Sequence, residues 1–249
     1  MQDGHGIEMV ARYFFKALRH LFFKSHLSGA RNLRQSEPVI LVANHAGSFG
    51  PVSVITSLPM RLYPWVASEV TDRSTVAKRI QAEFLEQELH LRPPLSTYLG
   101  KVIGRVCVAL MKDIDAIPVY AKSKRIRNTI QASLALLEQG KNILVFAEDS
   151  TRKINDVLGE FRTGFIHVAK LYYEKTMKAV QFLPVAVNKK VGGIRIGTPI
   201  RFEPTNSYSR EKQRLQKALQ DTVYDLYCAM ESDHGEPKGA LTASLSSGG

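Results

Sequence analysis

The chain has 249 residues, 44% of them hydrophobic, and its 34 Lys and Arg against 23 Asp and Glu leave a formal net charge of +11. This composition supports a buried core in one large domain or two small ones, and excludes fibrous and wholly disordered classes. The charge favours an anionic partner: nucleic acid, anionic lipid or a phosphorylated substrate.

Residues 7–24 read IEMVARYFFKALRHLFFK, with Ile7, Val10, Phe14, Leu18 and Leu21 three or four apart and Arg12, Lys16, Arg19 and Lys24 at other positions. That spacing predicts an amphipathic helix with a basic face. Such a helix either packs on the core or lies in a bilayer interface, and its aromatic residues favour the interface. The interrupting cations predict no cleavable signal. No run of about 20 uncharged apolar residues follows, so no spanning helix is expected.

The run PVILVA at 38–43 suits a fully buried strand. It delivers the chain to Asn44-His45-Ala46-Gly47-Ser48-Phe49-Gly50-Pro51. A helix is expected over 51–58, a strand from Tyr63 to Val70, and a charged helical segment over 72–91 that Pro93-Pro94 ends. An apolar helix over 95–111 carries Lys101 and Arg105 one turn apart. Strands then alternate with helices: strand 116–120, helix 124–138 capped by Gly140, strand 142–147, helix 163–175, strand 179–187. Gly192-Gly193 predicts a hairpin into 194–197, and a final helix covers 209–230. The Gly/Ser-rich stretch 232–249 reads as a disordered tail. The pattern predicts an α/β fold with a mixed, largely parallel central sheet flanked by helices. Its expected divisions are an N-terminal amphipathic region at 1–30, the α/β domain at 31–231 and the tail at 232–249.

Ligand sites in such folds lie beyond the carboxyl ends of strands. Two polar clusters fall there. In the first, His45 follows a buried strand in a glycine-containing loop. An imidazole titrating near pH 6.5 can take a proton at neutral pH, or it can simply bond a backbone carbonyl. The second, Glu148-Asp149-Ser150-Thr151-Arg152, brings carboxylates, hydroxyls and a cation to the end of NILVFA, or forms a solvated turn. The cysteines, Cys107 and Cys228, lack CxxC spacing, which argues against a disulfide framework or zinc site and for a reducing compartment. No aromatic-basic motif of the RNP type is present, so nucleic acid is not the expected partner.

Taken together, the blocks resemble the glycerolipid acyltransferase family typified by 1-acylglycerol-3-phosphate acyltransferase. Asn44-His45 stands where that family has its Asn-His-x4-Asp block, and Asp115-Ala116-Ile117-Pro118-Val119-Tyr120 where it has a Gly-Ala-Ile-Phe-Val-Asp-Arg-like strand. Leu137-Glu138-Gln139-Gly140 leads to Phe146-Ala147-Glu148-Asp149-Ser150-Thr151-Arg152, which resembles Phe-Pro-Glu-Gly-Thr-Arg. Phe161-Arg162-Thr163-Gly164, Leu183-Pro184-Val185 and Arg195-Ile196-Gly197-Thr198-Pro199-Ile200 resemble later blocks, so the likeness covers roughly 35–202.

The resemblance implies direct transfer of a fatty acyl group from acyl-CoA or acyl carrier protein to a lysophospholipid hydroxyl, with His45 as base and no metal or redox cofactor. It further implies acidic support from Glu148 or Asp149 and acceptor contacts from Asn44, Ser48, Lys122, Ser150, Thr151 and Arg152. It places the chain on the anionic cytoplasmic face of a membrane, peripheral or monotopic.

Three departures mark a divergent branch. The family's Asp five residues after the histidine is Gly50; Tyr120-Ala121 replaces Asp-Arg, with Lys122 one position on; and the third block holds one extra residue. Loss of the Asp leaves Glu148, Asp149 or, in reserve, Glu69 to hold the imidazole. It also opens the alternative of an inactive lipid- or acyl-carrier-binding protein of the same fold. A thioesterase, or a transferase to a non-glycerol hydroxyl, is a third reading.

Overall fold

The computed structural model describes residues 25–47, 49–71, 73–87, 89–121, 123–153 and 157–235. The expected amphipathic helix at 7–24 and nearly all of the expected tail lie outside them. A short strand, β1 (His26–Ser28), and a 3-10 turn over Ala30–Leu33 lead into the apolar run, which forms β2 (Val39–Ala43). All five β2 residues are buried, as a strand covered on both faces requires. Successive side chains point to opposite faces. Ile40 and Val42 therefore enter one core layer, while Val39, Leu41 and Ala43 enter the other.

Helix α1 (Phe49–Ser57) leads to β3 (Leu62–Ala67). The charged segment then divides into α2 (Ser68–Thr71), α3 (Arg73–Arg79) and a π-helical stretch over Ile80–Glu86. Helix α4 (Leu95–Asp113) precedes β4 (Ile117–Val119), and α5 (Ile126–Glu138) precedes β5 (Asn142–Phe146). Gly140 adopts φ 73° and its N–H donates to Leu137 O at 3.0 Å, the left-handed cap its position predicts. The polar block, read from the sequence as a cluster at a strand's end or a solvated turn, is itself a strand, β6 (Glu148–Lys153), paired antiparallel with β7 (Gly159–Phe161). Helix α6 (Gly164–Thr176), strands β8 (Gln181–Asn188), β9 (Gly193–Ile196) and β10 (Ile200–Arg201), and helix α7 (Tyr208–Gly235) complete the chain. Helix α7 runs past the expected end at 230.

The main sheet has the order β1-β9-β8-β2-β5-β3-β4, with β10 on β8. Its centre, β8-β2-β5-β3-β4, is parallel throughout; β9 and β10 run antiparallel to β8. Leu137 of α5, Phe165 and Val168 of α6, and Leu215, Leu219 and Val223 of α7 cover one face. Phe49 and Val54 of α1 pack in the other layer. The fold is therefore an α/β sandwich around a mixed, mostly parallel sheet. Parallel order sends the carboxyl ends of β2, β5, β3 and β4 to the same side, where His45, Glu148, Ser68 and Tyr120 follow them.

Candidate active site

His45 leaves the end of β2 in a tight turn. Ala46 and Gly47 both take left-handed backbone angles, φ 47° and 63°. Ala46 is an uncommon occupant of that region, and such residues concentrate at functional turns. Asn44, buried beneath, uses both ends of its amide: Nδ2 donates to Val187 O at 2.9 Å and Oδ1 accepts from Val187 N at 2.7 Å. It ties β2 to β8 and fixes where His45 emerges.

Glu148 comes from the neighbouring strand end. Its Oε2 accepts the backbone N–H of His45 at 2.8 Å, and its Oε1 accepts that of Gly159 at 2.8 Å. These charge-assisted bonds brace the histidine loop against the β6–β7 hairpin. Asp149 accepts from Arg162 Nε at 3.1 Å, pairing β6 with the segment after β7. Among the described residues no carboxylate is hydrogen-bonded to the imidazole ring itself. The ring meets Phe146 edge-on at 5.5 Å between centroids.

His45 is solvent-accessible, yet the atoms crowded around its ring push its pKa below 6.5. Desolvation is the largest cause. The field of Glu148 and a backbone hydrogen bond at Gly47 act upward, Arg79 acts downward and Glu83 upward. The resultant is a neutral imidazole at pH 7, the state a general base needs.

Arg79 and Glu83 were not among the expected site residues. Arg79 Nε donates to Glu83 Oε1 at 2.9 Å and to Oε2 at 3.0 Å, across the junction of α3 and the π-helical stretch. Sequence marked this segment only as charged and helical. Irregular helix at a functional site is a recurring arrangement.

Gly50 occupies the position where the sequence resemblance would place an aspartate. It lies inside α1, and a Cβ there would stand 2.0 Å from His45 O and 2.9 Å from His45 C. The helix start is folded onto the histidine's own carbonyl, so no side chain fits. The obstacle is space, not a left-handed backbone.

A second feature lies at the ends of β3 and β4. An open cleft of about 600 Å³ is bordered by Ser68, Glu69, Thr71, Thr75, Lys112 and Arg125. Arg125 stacks over the Tyr120 ring at 4.0 Å. Glu69, the reserve partner for His45, faces this cleft. His45 does not line it: β5 lies between β2 and β3, and two strand spacings are roughly 10 Å. Lys112 continues the basic row of Lys101 and Arg105, a signal present in the sequence; nothing there singled out Arg125. Ser48 and Lys122 lie outside the described residues, as do the side chains of Ser150, Thr151 and Arg152, whose backbone belongs to β6. Cys107 is no candidate nucleophile, since burial pushes its thiol up to about 11.

No protein-family profile matches the chain, and no curated protein sequence matches it. Its fold is similar to that of a solved structure, the 1-acyl-sn-glycerophosphate (LPA) acyltransferase PlsC from Thermotoga maritima. The TM-score is 0.51 at 15% identity, over 95% of this chain and 85% of that one. At that identity the likeness is one of fold. Among the described residues no helix is long and apolar enough to cross a membrane.

Proposed function

We propose that the chain is an acyltransferase that moves a fatty acyl group from acyl-CoA or acyl carrier protein to a hydroxyl of a lysophospholipid such as 1-acylglycerol-3-phosphate. The observation that carries this reading is a neutral, backbone-braced imidazole at the carboxyl end of the central strand, in a fold shared with an acyltransferase. His45 takes the acceptor's hydroxyl proton as that oxygen attacks the thioester carbonyl carbon. The tetrahedral oxyanion collapses, the C–S bond breaks, and the imidazolium returns its proton to the departing thiolate. Binding both reactants in register supplies much of the acceleration.

The acceptor's anionic head is assigned to the cleft, where Lys112 and Arg125 supply positive charge and Ser68, Thr71 and Thr75 supply hydroxyls. Ser48, Lys122, Ser150, Thr151 and Arg152 remain acceptor-side residues in this proposal. Asn44, Glu148 and Asp149 act by building the loop and hairpin. The work takes place at the cytoplasmic face of an anionic membrane.

Gly50 favours a second reading, a binding protein that holds lipid or acyl carrier without turnover, because the resembling family's aspartate cannot be accommodated. One assay separates the two. Thiol release from acyl-CoA is followed with and without lysophosphatidic acid, and the lipid product is identified. Acceptor-dependent release with a diacyl product supports the transferase. Release without acceptor identifies a thioesterase, and binding without release identifies the second reading.

A further inference from the structure

Helix α4 is apolar on two opposite faces. One face is buried: Ser96, Gly100, Gly104 and Val108 turn inward. A Cβ at Gly100 would lie 3.0 Å from Ala77 O, and one at Gly104 would lie 3.1 Å from Ala77 Cα, so two glycines seat α4 closely on α3. At about 100° per residue, Leu95, Tyr98 and Val102 share an arc roughly half a turn away from Gly100 and Gly104. These three are 52%, 68% and 40% exposed. With Leu89 just before the helix, at 47%, they make four of the six exposed large hydrophobic residues among those described. Isolated exposed apolar residues are ordinary, but a clustered stripe on one helix face marks a contact surface.

The border of the stripe identifies the contact. Lys101, Arg105 and Lys112 are exposed along one side, and no acidic residue occurs from Leu89 to Lys112. Lys112 also lines the cleft at the ends of β3 and β4. An apolar stripe with a cationic flank is the composition of a helix lying in the interface of an anionic bilayer. The two other occupants meet a charge conflict. The helix expected over 7–24 carries Arg12, Lys16, Arg19 and Lys24, and would bring cations to a cationic border. A second copy packed antiparallel about a two-fold axis would set the cationic edge of Lys101 and Arg105 against the same edge of its partner.

We propose that the exposed face of α4, Leu95, Tyr98 and Val102 with Lys101 and Arg105 at its edge, is a docking surface for an anionic lipid bilayer. It is distinct from any contact made by residues 7–24. Docked in this way, α4 sets Lys112 and the mouth of the cleft at headgroup level. The inference does not depend on His45, because its readout is contact with lipid and not turnover.

The test uses the full chain with Tyr98→Trp, read against the native chain, whose single tryptophan, Trp65, gives a constant background. Vesicles of phosphatidylglycerol with phosphatidylcholine should shift the emission of the introduced indole to the blue, and brominated acyl chains should quench it. Pure phosphatidylcholine should do so far less. Lys101→Glu with Arg105→Glu should weaken binding to the anionic vesicles by about 10-fold or more. Leu95→Ser with Val102→Ser should also weaken it, without altering the circular dichroism of the fold. A vesicle-bound chain whose introduced indole stays open to aqueous iodide would overturn the proposal. So would an indole already blue-shifted before lipid is added: independent of protein concentration it would mean cover by the chain itself, and dependent on concentration it would mean cover by a second copy.

Discussion

The ends of β2 and β5 and the ends of β3 and β4 open on the same side of one sheet, yet they are built on different principles. At the central pair the polar side chains are spent on backbone: Asn44 on Val187, Glu148 on the amides of His45 and Gly159. What emerges is one imidazole, held in place and partly stripped of water. At the outer pair, helices α2 to α4 lie in the chain between β3 and β4, and their hydroxyls and Lys112, with Arg125 just before α5, line an open cleft. Fixed geometry serves proton transfer, which tolerates little displacement. An open charged cleft suits recognition of an anionic head group.

The comparison breaks first at His45. His45→Ala should lower acyl transfer by at least ~10²-fold, the usual scale for losing a general base, with an unchanged circular dichroism spectrum. A folded variant with near-native turnover would move the chemistry elsewhere. Gly50→Asp comes next. Its Cβ meets the His45 carbonyl, so it should cost about 1–3 kcal/mol of stability in urea denaturation and yield no gain in activity. A stable, more active variant would show that the loop can reopen to receive the carboxylate.

The cleft should respond more gently and only to charge on the acceptor. Arg125→Ala should reduce kcat/KM for a phosphate-bearing acceptor by about 10-fold, the low end for a charge-assisted contact. An equal loss with a phosphate-free acceptor would separate the cleft from head-group recognition. The smallest effects belong to the ion pair beside His45. Arg79→Gln removes a cation that lowers the imidazole pKa, so the acid limb of the pH profile should move up. Glu83→Gln removes an anion that raises it, so the limb should move down. Shifts of the same sign in both variants would show that the pair acts through structure and not through its field.

Much of the sheet was legible because buried strands announce themselves: Val39–Ala43 and Asn142–Phe146 are short apolar runs feeding polar blocks. The hairpin of β6 and β7 was not, because Glu148–Lys153 has no apolar alternation to mark a strand. The position of His45 could be read from Asn44-His45, but the use of Asn44 could not. Its partner is Val187, and only the adjacency of β2 and β8 brings that backbone within reach. Arg79 stayed hidden for a similar reason, since its influence on His45 arises in the folded chain and not in any local pattern. Gly50 was visible as an absence. Its cause, the approach of α1 to the His45 carbonyl, is a matter of three-dimensional contact.

The central claim is that His45 works as a neutral base whose pKa is lowered by desolvation, with no carboxylate among the described residues bonded to its ring. The pH dependence of kcat/KM for acyl transfer by the native chain tests it most directly. Activity needs the unprotonated imidazole and is lost as pH falls through its pKa, so the account predicts an acid limb below 6.5. A limb at or above 6.5 would mean that the charged ring is stabilised, as by a carboxylate partner, and would contradict it.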